Sequence, residues 1–125
     1  MRRYTTQRAV MLAAVFILAT ATVLPLQPVF GEGGARRDVM RAEDQHRQEA
    51  VKLAKDAVAH GKQGHAEAVV SNADAALQHA LQAGKGSHVD AGVTELKNAI
   101  EHGNAGHTDV ATKHAEAAVT HLSEK

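Results

Sequence analysis

A glycine hinge that recurs three times constrains this chain more than any other feature. The segment Ala57 to Glu67 lines up with Ala80 to Asp90 and again with Ala99 to Asp109. In each copy a glycine able to take the left-handed conformation (Gly61, Gly84, Gly103) is expected to stop one helix. Three residues later Gly64, Ser87 or Gly106 is placed to cap the next, with an acid at the third helical position: Glu67, Asp90 or Asp109. Ser87 with Asp90 has the layout of a capping box. Three hinges separate four helices. The first and third match best and lie 42 residues apart, which suggests a duplicated helical hairpin.

Apolar residues recur at helical spacing between the hinges. The spacing predicts helices over 38–60, 65–83, 88–102 and 107–122. Their buried faces are expected at Ala50, Val51, Ala54, Ala57 and Val58; at Ala66, Val69, Val70, Ala73, Ala76, Leu77 and Ala80; at Val89, Val93, Leu96, Ala99 and Ile100; and at Ala111, Ala115, Ala118, Val119 and Leu122. Short turns force antiparallel neighbours, so the expected fold is all-α, an up-down-up-down four-helix bundle over residues 38–125. Its alanine-rich core lets helices approach closely but buries little apolar area, so stability without a ligand is expected to be marginal.

The nine histidines follow the same geometry. His46 and His60 share one seven-residue phase, His65 and His79 a second, His88 and His102 a third, and His107, His114 and His121 a fourth, with Leu53, Asn72 and Glu95 in the intermediate slots. At 100° per residue this slot lies about 90° from the apolar centre, at the edge of the buried face. Histidines seven apart on one helix stand about 10 Å apart along its axis, too far to share an ion held at about 2 Å. Chelation therefore has to join different helices or use a nearby carboxylate. His60, His65, His102 and His107 are expected at the end of the bundle that holds the first and third hinges, His46, His79, His88 and His121 towards the other, and His114 between them. Asp56, Glu43 and Glu49 share helix faces with His60 and His46 as possible ligands or orienters of imidazole. The plainer readings are helix capping for His60 and His102 and a solvated helix edge for His46, His79, His88, His114 and His121 taken singly, whereas His65 and His107, expected at the first helical position, gain nothing there as cations and favour the neutral, metal-binding form; the shared phase argues for more.

At the N-terminus Arg2, Arg3 and Arg8 precede an uncharged apolar run from Ala9 to Leu24, then Pro25, Pro28 and small residues. This is the layout of a secretory signal over residues 1–31, shorter than a transmembrane span, and the glycine- and charge-rich 32–37 follows as a flexible leader. Removing that signal turns a formal charge of zero into about minus three, which argues against nucleic acid. It also removes Tyr4, Phe16 and Phe30, the only aromatic residues apart from histidine. With no cysteine in the chain, disulfides are excluded and any metal is held through nitrogen and oxygen.

An enzyme is hard to build from these parts. The di-iron pattern needs Glu-x-x-His on two helices, and only Glu43 with His46 has that spacing; phosphate-loop, nucleophile and His-Glu-x-x-His motifs are missing from the sequence. The segments Glu49-Ala50-Val51-Lys52, Ala57-Val58-Ala59-His60-Gly61-Lys62, Gly64-His65, Ala99-Ile100-Glu101-His102-Gly103 and Val110-Ala111-Thr112-Lys113-His114-Ala115 resemble the histidine-rich periplasmic small metal-binding proteins of ammonia-oxidising bacteria. The resemblance covers nearly all of 46–122. It implies a periplasmic four-helix bundle that binds several divalent ions, copper foremost, in sequestration rather than catalysis. The sequence departs from it at Leu53, Asn72, Ala91 and Glu95, where the family is richer in histidine, so the two ends are expected to bind more than the middle. Imidazole and carboxylate without thiolate independently favour Cu(II), with Ni(II) and Zn(II) weaker.

The expectation is therefore a monomeric, periplasmic buffer or scavenger of Cu2+, also of Ni2+ and Zn2+, with no nucleic-acid partner and no membrane association once the signal is cleaved. Its candidate metal ligands are His46, His60, His65, His79, His88, His102, His107, His114 and His121. The alternative is a pH-responsive structural or chaperone-like bundle whose edge histidines gain charge on acidification.

Overall fold

The computed structural model describes residues 32–124. Four helices, α1 (Glu32–Lys62), α2 (Ala66–Ala80), α3 (Ser87–Asn104) and α4 (Thr108–Ser123), follow one another through short turns. Packing joins α1 to α2, α2 to α3, α3 to α4 and α4 back to α1, with a weaker α2–α4 diagonal. This is the antiparallel four-helix bundle. The stretch 1–31 read as an export signal lies outside the described residues. No helix among the described residues is long and apolar enough to cross a membrane.

The expected apolar faces are the buried ones. Ala50, Ala54, Ala57, Val69, Ala73, Ala76, Leu77, Ala80, Leu96, Ala99, Ala111, Ala115, Ala118 and Leu122 form one core, on which Val51, Leu53, Val58, Val93, Ile100 and Val119 pack from its margins. Leu96, Leu122 and Val69 are its largest fully buried side chains. Because alanine dominates, helix separation is set by the smallest residues. A Cβ at Gly61 would collide with Thr112 Oγ1, and one at Gly103 would stand 2.5 Å from Val70 Cγ2. These glycines are buried inside helices, where they let α4 sit against α1 and α2 against α3.

That burial corrects the expected helix ends. Gly61 and Gly103 do not close α1 and α3, which run on to Lys62 and Asn104. The residues with positive φ are Gly64 and Gly106, both at 78°. Around them the His65 amide donates to the His60 carbonyl (3.0 Å) and the Gly64 amide to that of Gly61 (2.9 Å); His107 to His102 (2.8 Å) and Gly106 to Gly103 (3.0 Å) repeat the pattern. This is the Schellman closure, which satisfies two terminal carbonyls at once and requires the left-handed residue three positions after the one expected. His65 and His107 consequently cap α2 and α4 rather than opening them as helical residues, and Gly86 caps α3. None of the three makes a side-chain cap bond, so the capping box expected of Ser87 and Asp90 is not formed; Ser87 is already the first helical residue. At the second hinge Gly84 does take positive φ, 83°, but α2 has already ended at Ala80. The leader expected at 32–37 is helical, because extending an existing helix gains one hydrogen bond per residue; residues 33–42 remain exposed.

Candidate metal centres

Each helix carries its histidine slot at the edge of its buried stripe, and antiparallel packing turns those edges towards one another within each hairpin. In the α1–α2 hairpin His46 meets His79, their Nδ1 atoms 3.1 Å apart and ring centroids 5.4 Å apart. At the other end of the same seam His60 and His65 stand 6.1 Å apart. In the α3–α4 hairpin His102 lies 5.9 Å from His107 and stacks on His114 at 5.2 Å with the rings 5° from parallel. His114 Nδ1 lies 2.7 Å from Glu95 Oε2, and His88 Nδ1 lies 2.8 Å from Glu124 Oε2. Since α1–α2 and α3–α4 are opposite edges of the ring of helices, the histidines form two ladders on opposite sides of the bundle.

The four histidines of the hinge end are thus brought together as two pairs, His60 with His65 and His102 with His107, and not as one group of four. His46, His60, His79, His102, His114 and His121 are half-buried as expected of edge positions, while His65, His88 and His107, all at helix starts, are exposed. The Nδ1 of His60 is buried without a hydrogen-bond partner. The carboxylates expected to serve His46 lie elsewhere: Glu49 pairs with Lys52 at 3.3 Å, and the carboxylate of Glu43 lies against Gly84.

Among the described residues, one place brings three potential ligands together. An atom each from His88, His121 and Glu124 lie within 4.8 Å of one another. The backbone builds this site from α3 and the end of α4. Glu124 leaves the helix with extended backbone (φ −78°, ψ 144°), and its carbonyl accepts a bond from Arg47 Nη1 of α1 at 3.2 Å while Arg47 Nη2 holds Asp44 at 3.2 Å. A cleft of about 390 Å³, lined among others by Met40, Glu43, Asp44, His88 and Glu124, opens beside it. Glu124 and Glu95 were not among the residues expected to bind. The signal was present: Glu124 follows His121 by three residues, and Glu95 occupies the histidine slot of α3. Glu95 also gives the middle of the α3–α4 seam a polar pair where no histidine ladder was expected.

The donor set suits a borderline divalent ion. A histidine that donates Nδ1–H to a carboxylate presents Nε2 as its free lone pair and becomes a more basic ligand, which is what Glu95 does for His114. Nitrogens that bind one ion at about 2.0–2.1 Å stand roughly 2.9–3.4 Å apart for bond angles between a right angle and tetrahedral; the 3.1 Å between His46 and His79 falls inside that window. A family model described as small metal-binding protein matches residues 9–125. The chain belongs to the small metal-binding protein family. Among curated proteins, none matches it. As a member of this family the chain binds metal ions, and the pairs and the trio described above offer imidazole and carboxylate donors.

Proposed function

We propose that this small metal-binding protein buffers or sequesters divalent copper in the periplasm, with nickel and zinc as weaker cargo, through the histidines at its hairpin seams. The observation that carries this reading is the convergence of His88, His121 and Glu124 from two elements on one point. Nitrogen and oxygen donors without sulfur rank Cu(II) first in the Irving–Williams order. Exposed sites beside an open cleft suit a cargo that must enter and leave, and nothing in the donor set calls for catalysis. Export would put these sites where copper arrives.

Calorimetric titration of the metal-free protein with Cu(II) at pH 7.5 tests this, because the described chain has no tryptophan or tyrosine to report binding. The expected result is more than one site of micromolar or tighter affinity, with the tightest lost in the H88Q/H121Q/E124Q variant. Weak heat, unchanged by those substitutions, would overturn copper buffering and favour the alternative, a bundle that responds to pH and not to metal.

A further inference from the structure

The two hairpins correspond residue by residue at the 42-residue offset. His46, His60, His65 and His79 map onto His88, His102, His107 and His121, and Gly61, Gly64 and Val70 onto Gly103, Gly106 and Thr112. The packing obeys the same mapping: Gly61 faces Thr112 across α1 and α4, and Gly103 faces Val70 across α3 and α2. The ligand slots differ at three places. Leu53 and Asn72 stand where the second hairpin has Glu95 and His114, and Gln82 stands where it has Glu124.

Gln82 and Glu124 also share a local geometry. Each follows its histidine by three residues and donates its amide to that histidine's carbonyl, Gln82 to His79 at 3.0 Å and Glu124 to His121 at 3.2 Å. The Gln82 side chain turns back to the Gln78 carbonyl at 3.0 Å, whereas that of Glu124 reaches His88. The counterpart of His88 and His121 is His46 and His79, whose Nδ1 atoms share a hydrogen bond at 3.1 Å, a separation that would also let both bind one ion in place of the shared proton.

The geometry points to a second cation site at His46 and His79, the first hairpin's copy of the His88/His121/Glu124 site, left one ligand short by Gln82. It is a two-imidazole site for a divalent ion such as Cu(II), and it fills after its counterpart because it lacks the anionic donor. This assignment rests on the metal-binding reading proposed above. It makes the end of the bundle that carries these four histidines a tandem of one stronger and one weaker site, so the protein holds its first ion at α3–α4 and takes the next at α1–α2.

Copper titration of the wild type and of the Q82E, H46Q/Q82E and E124Q variants, each checked for unchanged helical circular dichroism, tests it. In Q82E the weaker site should tighten by about tenfold or more, giving two sites of similar strength. H46Q/Q82E should show no such gain, and E124Q should loosen the first site towards the wild-type value of the second. A wild type that binds copper while Q82E leaves every site unchanged, or an H46Q/Q82E protein that keeps the gain, would overturn the tandem but leave copper buffering standing. A wild type that binds no copper would overturn both.

Discussion

Arg47 does more for the α3–α4 site than its place on α1 suggests. Its guanidinium, with the side chain 19% exposed, spans from Asp44 to the carbonyl of Glu124, and so fixes a residue that lies beyond the last helix. Removing a group that orients a metal ligand typically costs about 10–100-fold in affinity; a backbone tether on an exposed ligand belongs at the low end. R47Q should weaken the tightest copper site by about threefold to tenfold, and in an E124Q background it should have no further effect. A calorimetric double-mutant cycle reads both. The buried glycines make a second prediction at this scale. G61A puts a methyl group into Thr112, and overpacking of this kind costs about 1–3 kcal/mol. Urea denaturation should show that loss, and G61A/T112A should recover part of it. The hinge motif contains two glycines at equivalent spacing, so sequence alone cannot say which turns left-handed and which accepts a neighbouring helix. That is why the ends of α1 and α3 were placed early, at 60 and 102 rather than at Lys62 and Asn104, while the hinges themselves were legible.

Among the elements, the number, order and buried faces of the helices were legible because apolar periodicity is a property of each helix by itself. Which histidine meets which depends on how neighbouring helices are rotated, and that is decided only when Gly61 against Thr112 and Gly103 against Val70 set the close approaches. Heptad phase placed every histidine at an edge; packing chose the edge within the hairpin and so split the hinge-end group into pairs. A metal held by His88, His121 and Glu124 would tie the start of α3 to the end of α4, across the two elements that pack against each other on that side. Binding to the folded state alone adds about 2.7 kcal/mol at 100 times Kd. In a bundle of this size each kcal/mol moves Tm by roughly 4–8 °C. Excess Cu(II) at pH 7.5 should therefore raise Tm by about ten degrees or more in scanning calorimetry, and H88Q/H121Q/E124Q should remove most of the rise. The L122A variant offers a contrast. Deleting that buried side chain, which packs on Gly92, should cost about 2–5 kcal/mol while leaving the seam histidines in place, so its Tm falls but still rises with copper.

For the whole molecule, a metal at the proposed sites would compete with protons for the same imidazole nitrogens. The core is mostly alanine and supplies little apolar area, so a bound ion contributes a larger share of the stability here than in a bundle filled with leucine. Imidazole ordinarily takes up its proton near pH 6.5, and a metal has to displace it. The sign follows directly: affinity is greatest where the ligands are already neutral and falls as pH drops. At a site that needs two imidazoles, the apparent affinity should fall by about 100-fold for each pH unit below about 6, since two protons must leave for each ion that enters. Copper titrations at pH 7.5, 6.0, 5.5 and 5.0 would measure that slope. A two-proton slope at the tightest site identifies His88 and His121 as binding together; a one-proton slope would mean that only one of them holds the ion beside Glu124, and α3 would then be tied to the end of α4 only if that one is His88.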